Sequence, residues 1–269
     1  MKYDPIKKVF GNIVSDKPFL RKIFYRLLDL MFLRSWHVRK KVRQLYSKDS
    51  VMDIFDAGMG FGQYTYFMVK RFPESRILAV DVKEEQVEDC RKFFSKCGYD
   101  NVKFEIADLT KIKYENEFDF ILCVDVMEHI FEDELVFKNF AAALKKGGKL
   151  LVNTPSNLGG SDAHSEDDES FIEEHARIGY SKEEIISKIN NAGLDVTDFS
   201  YAYGKFGTVS WRFGIKYPIL IAGVSKFFIL LLPFYYLFTL WFVLILMWLD
   251  VNTYNKEGTG VLLVAEKNK

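Results

Sequence analysis

Seven consecutive residues, Asp56-Ala57-Gly58-Met59-Gly60-Phe61-Gly62, have the types and spacing to hold a small charged ligand. The apolar run Val51 to Phe55 before them reads as a strand, and Gln63 to Lys70 after them can continue as a helix. A strand, a glycine-rich turn and a helix start together present free backbone N–H groups and a positive dipole end, and glycine lets a ligand approach the main chain. The glycines run G-x-G-x-G, not the G-x-G-x-x-G that cradles a dinucleotide pyrophosphate. Asp56, standing in front of them, would repel a pyrophosphate and suits a ligand with a cationic ammonium end.

Further acids close later apolar runs. Asp81 ends Arg76 to Val80, nineteen residues after Gly62. That is near the distance at which a second-strand carboxylate accepts the hydroxyls of a ribose. It could instead cap the helix Glu84 to Lys96, which Gly98 stops, but its place behind the glycine turn favours the ribose. Val102 to Asp108 alternates and also ends in an acid. Two histidines are candidates for a catalytic base: His129, after the run Phe118 to Val124, and His175, beside Arg177 and Tyr180. His37 and His164 have weaker claims. Asp125, Glu128 and His129 are ligand types for a divalent ion, yet consecutive Glu128 and His129 would need a sharp turn to share one. Helix capping by the acids is preferred, and no metal site is assigned.

These residues need a scaffold that brings strand ends together. Phe118 to Val124 reads as a buried fourth strand. A helix from Asp133 to Leu144 stops at Lys145-Lys146-Gly147-Gly148, and Lys149 to Thr154 is a fifth strand. Ser181 to Glu184 is a capping box for a helix that Gly193 ends, followed by a sixth strand, Leu194 to Phe199, and a seventh, Gly260 to Glu266. Strands alternating with helices imply an α/β fold with a doubly wound parallel sheet.

D-x-G-x-G-x-G, then FDFILCVDVMEHI, a helix and KKGGKLLVNTPSN together resemble class I S-adenosylmethionine-dependent methyltransferases, in the small-molecule branch that includes quinone-biosynthesis enzymes. The resemblance implies a Rossmann-like sheet of seven strands with an antiparallel last strand. It implies S-adenosylmethionine as cofactor, with Asp56, Gly58, Gly60 and Gly62 at the methionine end, Asp81 at the ribose and Asp108 at the adenine. Val82, Leu109 and Val124 would lie beside them, and His129 near cofactor or substrate. Met59 departs from the cysteine or small residue usual there. Val-Asp-Val-Met stands where enzymes methylating base or amide nitrogens carry [DNS]-P-P-[YFW], which argues against that class and against a nucleic-acid partner. The D-x-x-E-H run is similar to the E-x-x-E-H of ubiquinone-pathway O-methyltransferases. Residues 161–180 fall where the family folds a lid, and EEHARIGYSKEEI resembles a pattern of cell-envelope and lipid-associated relatives.

The chain has 269 residues with 37 basic and 37 acidic side chains, so its global charge gives no argument for a polyanionic partner. Three cysteines and no CxxC pair speak against a disulfide framework or zinc, and the first residues lack the apolar core of a signal peptide. The expected organisation is a basic amphipathic helical segment over 1–47, a methyltransferase domain over 48–204 and 256–269, and a hydrophobic insertion over 205–255. The first segment is either a helical cap or a helix lying on an anionic membrane surface. In the insertion, Ile219 to Leu232 and Phe234 to Leu249 are almost uncharged and break at Pro233. Each is shorter than the roughly 20 residues of a span, and both flanking strands belong to one sheet. A helical hairpin dipping into one leaflet meets both conditions, with Pro233 at its turn and Tyr235, Tyr236, Trp241 and Trp248 at the interface.

The expected function is methylation, most plausibly at oxygen, of a lipid, prenylated or lipid-linked substrate at the cytoplasmic face of a membrane. Two alternatives stand beside it: a soluble small-molecule methyltransferase whose insertion makes a homo-oligomer, and a scaffold that binds S-adenosylmethionine without transferring methyl.

Overall fold

The structure is a computed structural model, and it describes residues 17–159, 176–224 and 230–268. The parallel strands are β1 (Asp53–Ala57), β2 (Arg76–Asp81), β3 (Val102–Ile106), β4 (Phe118–Val124) and β5 (Leu144–Pro155). With β6 (Asp195–Ala202) and β7 (Gly260–Glu266) they form one sheet in the order β3-β2-β1-β4-β5-β7-β6. β7 runs antiparallel to both β5 and β6. The chain order reverses between β1 and β4, where Ala57 pairs with Val80 on one side and Cys123 on the other. In a sheet of this kind the crevice at such a switch point is where ligands bind.

Successive strand side chains point to opposite faces, so each central strand feeds two cores. Ile54, Phe120 and Leu122 face one layer, with Met68, Phe72, Phe93 and Phe94 from helices α3 (Gln63–Arg71) and α4 (Glu84–Lys96) and from the loop between β1 and β2. Phe55, Phe118, Ile121 and Cys123 face the other, against Phe137 and Phe140 of α5 (Asp133–Ala143) and Ile185 and Ile189 of α6 (Lys182–Asn191). Each such fully buried large side chain contributes roughly 1.5–3 kcal/mol.

Local signals behave as the sequence suggests in several places. Ser181 Oγ accepts from Glu184 N at 3.1 Å, starting α6, and Gly98 takes φ +71° just past α4. Other boundaries shift. β1 begins at Asp53 and includes Asp56. α5 ends at Ala143, and Lys145 to Gly148 belong to β5 rather than to a helix stop, with a register shift opposite Phe118 and Phe120.

Among the described residues, the segment before β1 forms two helices, α1 (Pro18–Met31) and α2 (Leu33–Leu45), broken at the extended Phe32. Tyr25, Val38 and Val42 are buried in the first core layer. Many of the basic side chains face protein acids: Arg21 pairs with Asp89, Arg34 with Asp125, Arg39 with Asp29 and Lys41 with Asp198. The cap alternative therefore describes this segment better than a free surface helix.

The insertion is longer and more firmly rooted than its apolar runs suggest. Its first arm runs through α7 (Lys205–Trp211), a π-helical turn (Arg212–Lys216) and α8 (Tyr217–Val224), starting well before Ile219. Its second arm is one helix, α9 (Leu232–Asn252), with Pro233 in the first turn. The apex between the arms includes residues outside those described. A helix of 21 residues is about 32 Å long, enough in length to cross a bilayer, so the expectation that neither arm reaches span length is corrected. Packing, however, removes its last turns from that role. Val243, Leu246, Met247 and Asp250 are buried, the first and third of them against Leu33 of α2. Tyr235 and Tyr236 are not interface anchors. Their hydroxyls donate to the carbonyls of Phe213 and Gly214 at 2.7 Å, in the π turn, and so stitch the two arms together.

Candidate active site

The glycine turn has the backbone its sequence demands. Gly58, Gly60 and Gly62 all take positive φ (+80°, +54° and +74°), where a side chain is strained. A Cβ on Gly58 would meet the Val126 side chain at 2.3 Å, so the turn lies directly against the segment that follows β4. A Cβ on Gly60 would meet nothing within 4 Å, which leaves its surroundings open to a ligand. Gly58 and Met59 donate to Val80 O at 2.9 Å, fixing the turn to β2.

Asp81 reaches back across this turn. One carboxylate oxygen accepts from Gly60 N at 3.0 Å and the other from Lys83 N at 2.9 Å. A carboxylate offers about four lone-pair sites, so two remain for the hydroxyls of a ribose. Asp81 thus fixes the backbone just before α4 and still holds acceptor capacity beside the glycines. Val82 next to it is exposed. Asp108, past the end of β3, accepts from Thr110 N and Thr110 Oγ1 and pairs with Lys111 at 2.9 Å. Lys111 and Thr110 hold its carboxyl below the ordinary range, so it stays an acceptor. Leu109 is a core side chain, which leaves only its backbone for a ligand. Val124 is the half-buried last residue of β4, paired with Asn153.

Asp56 sits inside β1, only 3% exposed, and accepts from Thr65 Oγ1 at 2.5 Å. Burial pushes its carboxyl up to about 7, with Asp81 adding to the rise and the Thr65 hydroxyl opposing it. A buried carboxyl poised near neutrality, at the foot of a glycine turn, fits a ligand that brings a positive charge. Together the open backbone at Gly60, the spare acceptors of Asp81 and this carboxyl suit a ligand with a cationic end and a ribose.

The sequence missed what braces this turn from behind. Arg21 and Tyr25 of α1 both bond Phe61 O, with Arg21 Nη2 at 2.9 Å. Arg21 also reaches Tyr25 Oη, Cys90 Sγ and the Asp89 carboxylate. Cys90, fully buried, lies against the turn: a Cβ on Gly62 would meet its sulfur at 2.9 Å. The usable signal was an arginine four residues before a tyrosine on an otherwise apolar helix face.

Beyond β4 the chain turns sharply. Asp125 has φ +53° and pairs with Arg34 at the start of α2. Arg34 N donates to Tyr203 Oη at 3.2 Å, and Tyr203 N donates to Asp250 at 3.2 Å. Glu128, in a 3-10 turn (Met127–His129), is 2% exposed and accepts from Thr154 Oγ1 at 3.0 Å. Burial, with Asp125 second, pushes its carboxyl up to about 8. Asp125 and Glu128 thus have protein partners of their own, and among the described residues no group of three His, Cys, Asp or Glu side chains is gathered to hold a metal. His129 lies on the exposed side of the turn. His175 and most of the expected lid lie outside the described residues. At the end of that stretch, Arg177 pairs with Asp133 at 2.6 Å and Tyr180 Oη donates to Asp133 at 2.7 Å. These two side chains anchor the returning chain to α5.

With the geometry established, the chain can be compared with known proteins. Residues 48–193 match a family described as a methyltransferase domain, which covers more than half of the chain. The chain belongs to this methyltransferase family. A malonyl-[acyl-carrier protein] O-methyltransferase of Bacillus cereus is 25% identical over 169 residues, 60% of this chain and 62% of that protein. Phosphoethanolamine N-methyltransferase 1 of Triticum aestivum is 33% identical over 103 residues, 37% of this chain and 20% of that protein. The chain therefore spans less than two thirds of either curated relative. Haemonchus contortus phosphoethanolamine N-methyltransferase 2, solved with S-adenosyl-L-methionine, superposes with a TM-score of 0.64 at 16% identity, over 97% of this chain and 59% of that one. The methyltransferase domain is of the class I, S-adenosylmethionine-dependent kind.

Proposed function

We propose that the protein transfers the methyl group of S-adenosylmethionine to an oxygen of a lipid, prenylated or lipid-linked small molecule while seated on the cytoplasmic face of a membrane. The observation that carries this reading is where the apolar hairpin is rooted. It leaves the sheet after β6 and returns at the start of β7, at the edge where the glycine turn, Asp81 and Asp125 stand. A chain of contacts from Asp125 through Arg34 and Tyr203 to Asp250 ties the end of β4 to the hairpin's base.

The hairpin's outer surface supports a lipid partner. Leu237, Phe238, Trp241 and Trp248 are 69%, 70%, 61% and 58% exposed, and Phe234 and Ile245 lie open beside them. Contiguous apolar surface of this kind marks an interaction site rather than a solvated face. The part of α9 before its first buried residue, Leu232 to Phe242, is about 16 Å long, near the thickness of one leaflet.

S-adenosylmethionine supplies an activated methyl group, so the protein's task is alignment and the exclusion of water. Gly58, Gly60 and Gly62 give the backbone room, Asp56 would favour the cationic end, Asp81 would hold the ribose and Asp108 the adenine. A hydroxyl acceptor must also lose a proton. Glu128, raised to about 8 and three residues past Asp125, is a carboxyl with matching proton affinity. His129 and His175 remain the histidine candidates for that role.

Vesicle flotation of the full chain tests the membrane half of the reading. Leu237→Lys and Trp241→Lys alter exposed positions and should leave the fold intact while releasing the protein from phosphatidylcholine vesicles. Unchanged flotation, or a wild-type dimer that these changes split, would favour the oligomer alternative.

A further inference from the structure

We propose that a second site, between α2 and α3, binds a phosphoryl group. A cleft of about 440 Å³ opens there, lined by Arg39, Arg43, Lys48, Lys70 and Arg71, with Asp49 the one acid in its wall. It lies at the far end of α3 from the glycine turn, so it is not the cofactor site. Another cleft of about 440 Å³, beside Asp53, Arg76 and Lys145, has its basic groups already paired with acids.

The first cleft differs because its cations crowd one another. Arg39 and Arg43 share one aromatic neighbour, their guanidinium carbons 4.4 and 5.7 Å from the Phe67 ring centre. Arg71 comes from the last turn of the same helix as Phe67. Burial lowers the proton affinity of Arg43, and the charges of Arg39 and Arg71 lower it further, only partly offset by Asp29. Partners inside the protein satisfy part of this cluster: Arg39 pairs with Asp29, and Arg71 donates to Tyr46 O at 3.1 Å. The Nε atoms of Arg39 and Arg71 are buried with no hydrogen-bond partner.

A helix C-terminus favours nearby cations, which accounts for Lys70 and Arg71. It does not account for Arg39 and Arg43, which α2 delivers to the same place. Like charges brought together in one cleft fit a multivalent anion. A phosphoryl group offers three acceptor oxygens and up to two negative charges to converging guanidiniums, whereas a carboxylate offers two oxygens and one charge. The cleft is larger than inorganic phosphate alone, so the group can be carried by a lipid headgroup or a soluble phosphate ester.

The test uses the full chain in detergent and two variants: Arg43→Gln, in the cleft, and Lys146→Gln, an exposed lysine elsewhere. Inorganic phosphate should raise the melting temperature of wild type and Lys146→Gln but not of Arg43→Gln. In calorimetric titration its affinity should fall at least tenfold in Arg43→Gln. Without phosphate, Arg43→Gln should melt no lower than wild type, because it relieves repulsion, and it should bind S-adenosylmethionine normally. Flotation on phosphatidylcholine vesicles with and without phosphatidic acid identifies the source. A phosphatidic-acid gain lost in Arg43→Gln supports a lipid headgroup, and a phosphate response without that gain supports a soluble ester. Equal phosphate affinity in Arg43→Gln and Lys146→Gln would overturn the proposal.

Discussion

Replacing Asp56 by asparagine should raise the stability of the cofactor-free protein relative to wild type as pH rises, with a net gain at pH 8. The Asp56 carboxyl has an ordinary value near 3.9 in the unfolded chain and about 7 in the fold. Its raised folded value means that the folded state binds the proton more tightly. Wild-type stability therefore falls as pH rises between those values, and the whole penalty is present above the folded one. The gap of about three units corresponds to about 4 kcal/mol at the alkaline end, of which roughly 2.5 kcal/mol develops between pH 5 and pH 8. Asparagine can still accept from Thr65 Oγ1, but its amide adds a buried donor that costs about 1–3 kcal/mol at every pH. The net stabilisation at pH 8 is thus modest, while the slope is not. Urea unfolding of both proteins at pH 5, 6, 7 and 8 isolates that slope, because titrations that do not couple to Asp56 cancel in the difference. A wild-type-to-variant difference flat within about 0.5 kcal/mol over this range would refute the reasoning about Asp56. The same variant should bind S-adenosylmethionine more weakly, since the buried negative charge is gone.

Asp81→Asn removes a charged acceptor facing the ribose site, so the dissociation constant for S-adenosylmethionine should rise about 10- to 100-fold in calorimetry; an unchanged constant would remove Asp81 from the site. If Glu128 takes the acceptor's proton, kcat/KM should climb with pH to a plateau above an apparent value near 8, and Glu128→Gln should lose that limb. The same limb persisting in the variant would assign it to another group. Asp250 is fully buried and accepts from Gly207 N at 2.9 Å and Tyr203 N while meeting His37 Nε2 at 2.8 Å. Asp250→Ala strands these donors at the hairpin's root and should cost about 2–4 kcal/mol in chemical denaturation, and a loss below 1 kcal/mol would contradict the anchoring role.

The cofactor end of the protein was legible because its signals are local. Glycines at positive φ, an acid at the end of β2 and the alternation of strands with helices are written within short windows. Joined in order, they implied the parallel sheet and resembled the methyltransferase family, and that resemblance implied the antiparallel last strand and a cofactor role for the glycine turn. What escaped depends on contacts between distant segments. Arg21 and Tyr25 looked like parts of an amphipathic surface helix because nothing near them shows that Phe61 O lies within reach. The basic stretch of α2 gave the same impression, since Asp125 and Asp198 arrive from far along the chain. Within the expected insertion, hydropathy marked only the apolar middle of the hairpin's helices. Apolar runs mark lipid-like surface, whereas the helices continue through Lys205 to Trp211 and to Asp250, where polar side chains dock them on the core. Glu128 was weighed only as a ligand or a cap, because burial behind the 3-10 turn, which raises its proton affinity, is a tertiary property.

The central claim is methyl transfer to a substrate that stays with the membrane. The direct measurement is incubation of detergent-purified protein with methyl-labelled S-adenosylmethionine and a lipid extract of the source cells, followed by partition into organic and aqueous phases. The account predicts label in an organic-soluble product that is absent with Asp81→Ala. Label confined to aqueous products, or tight cofactor binding with no transfer to any fraction, would contradict it.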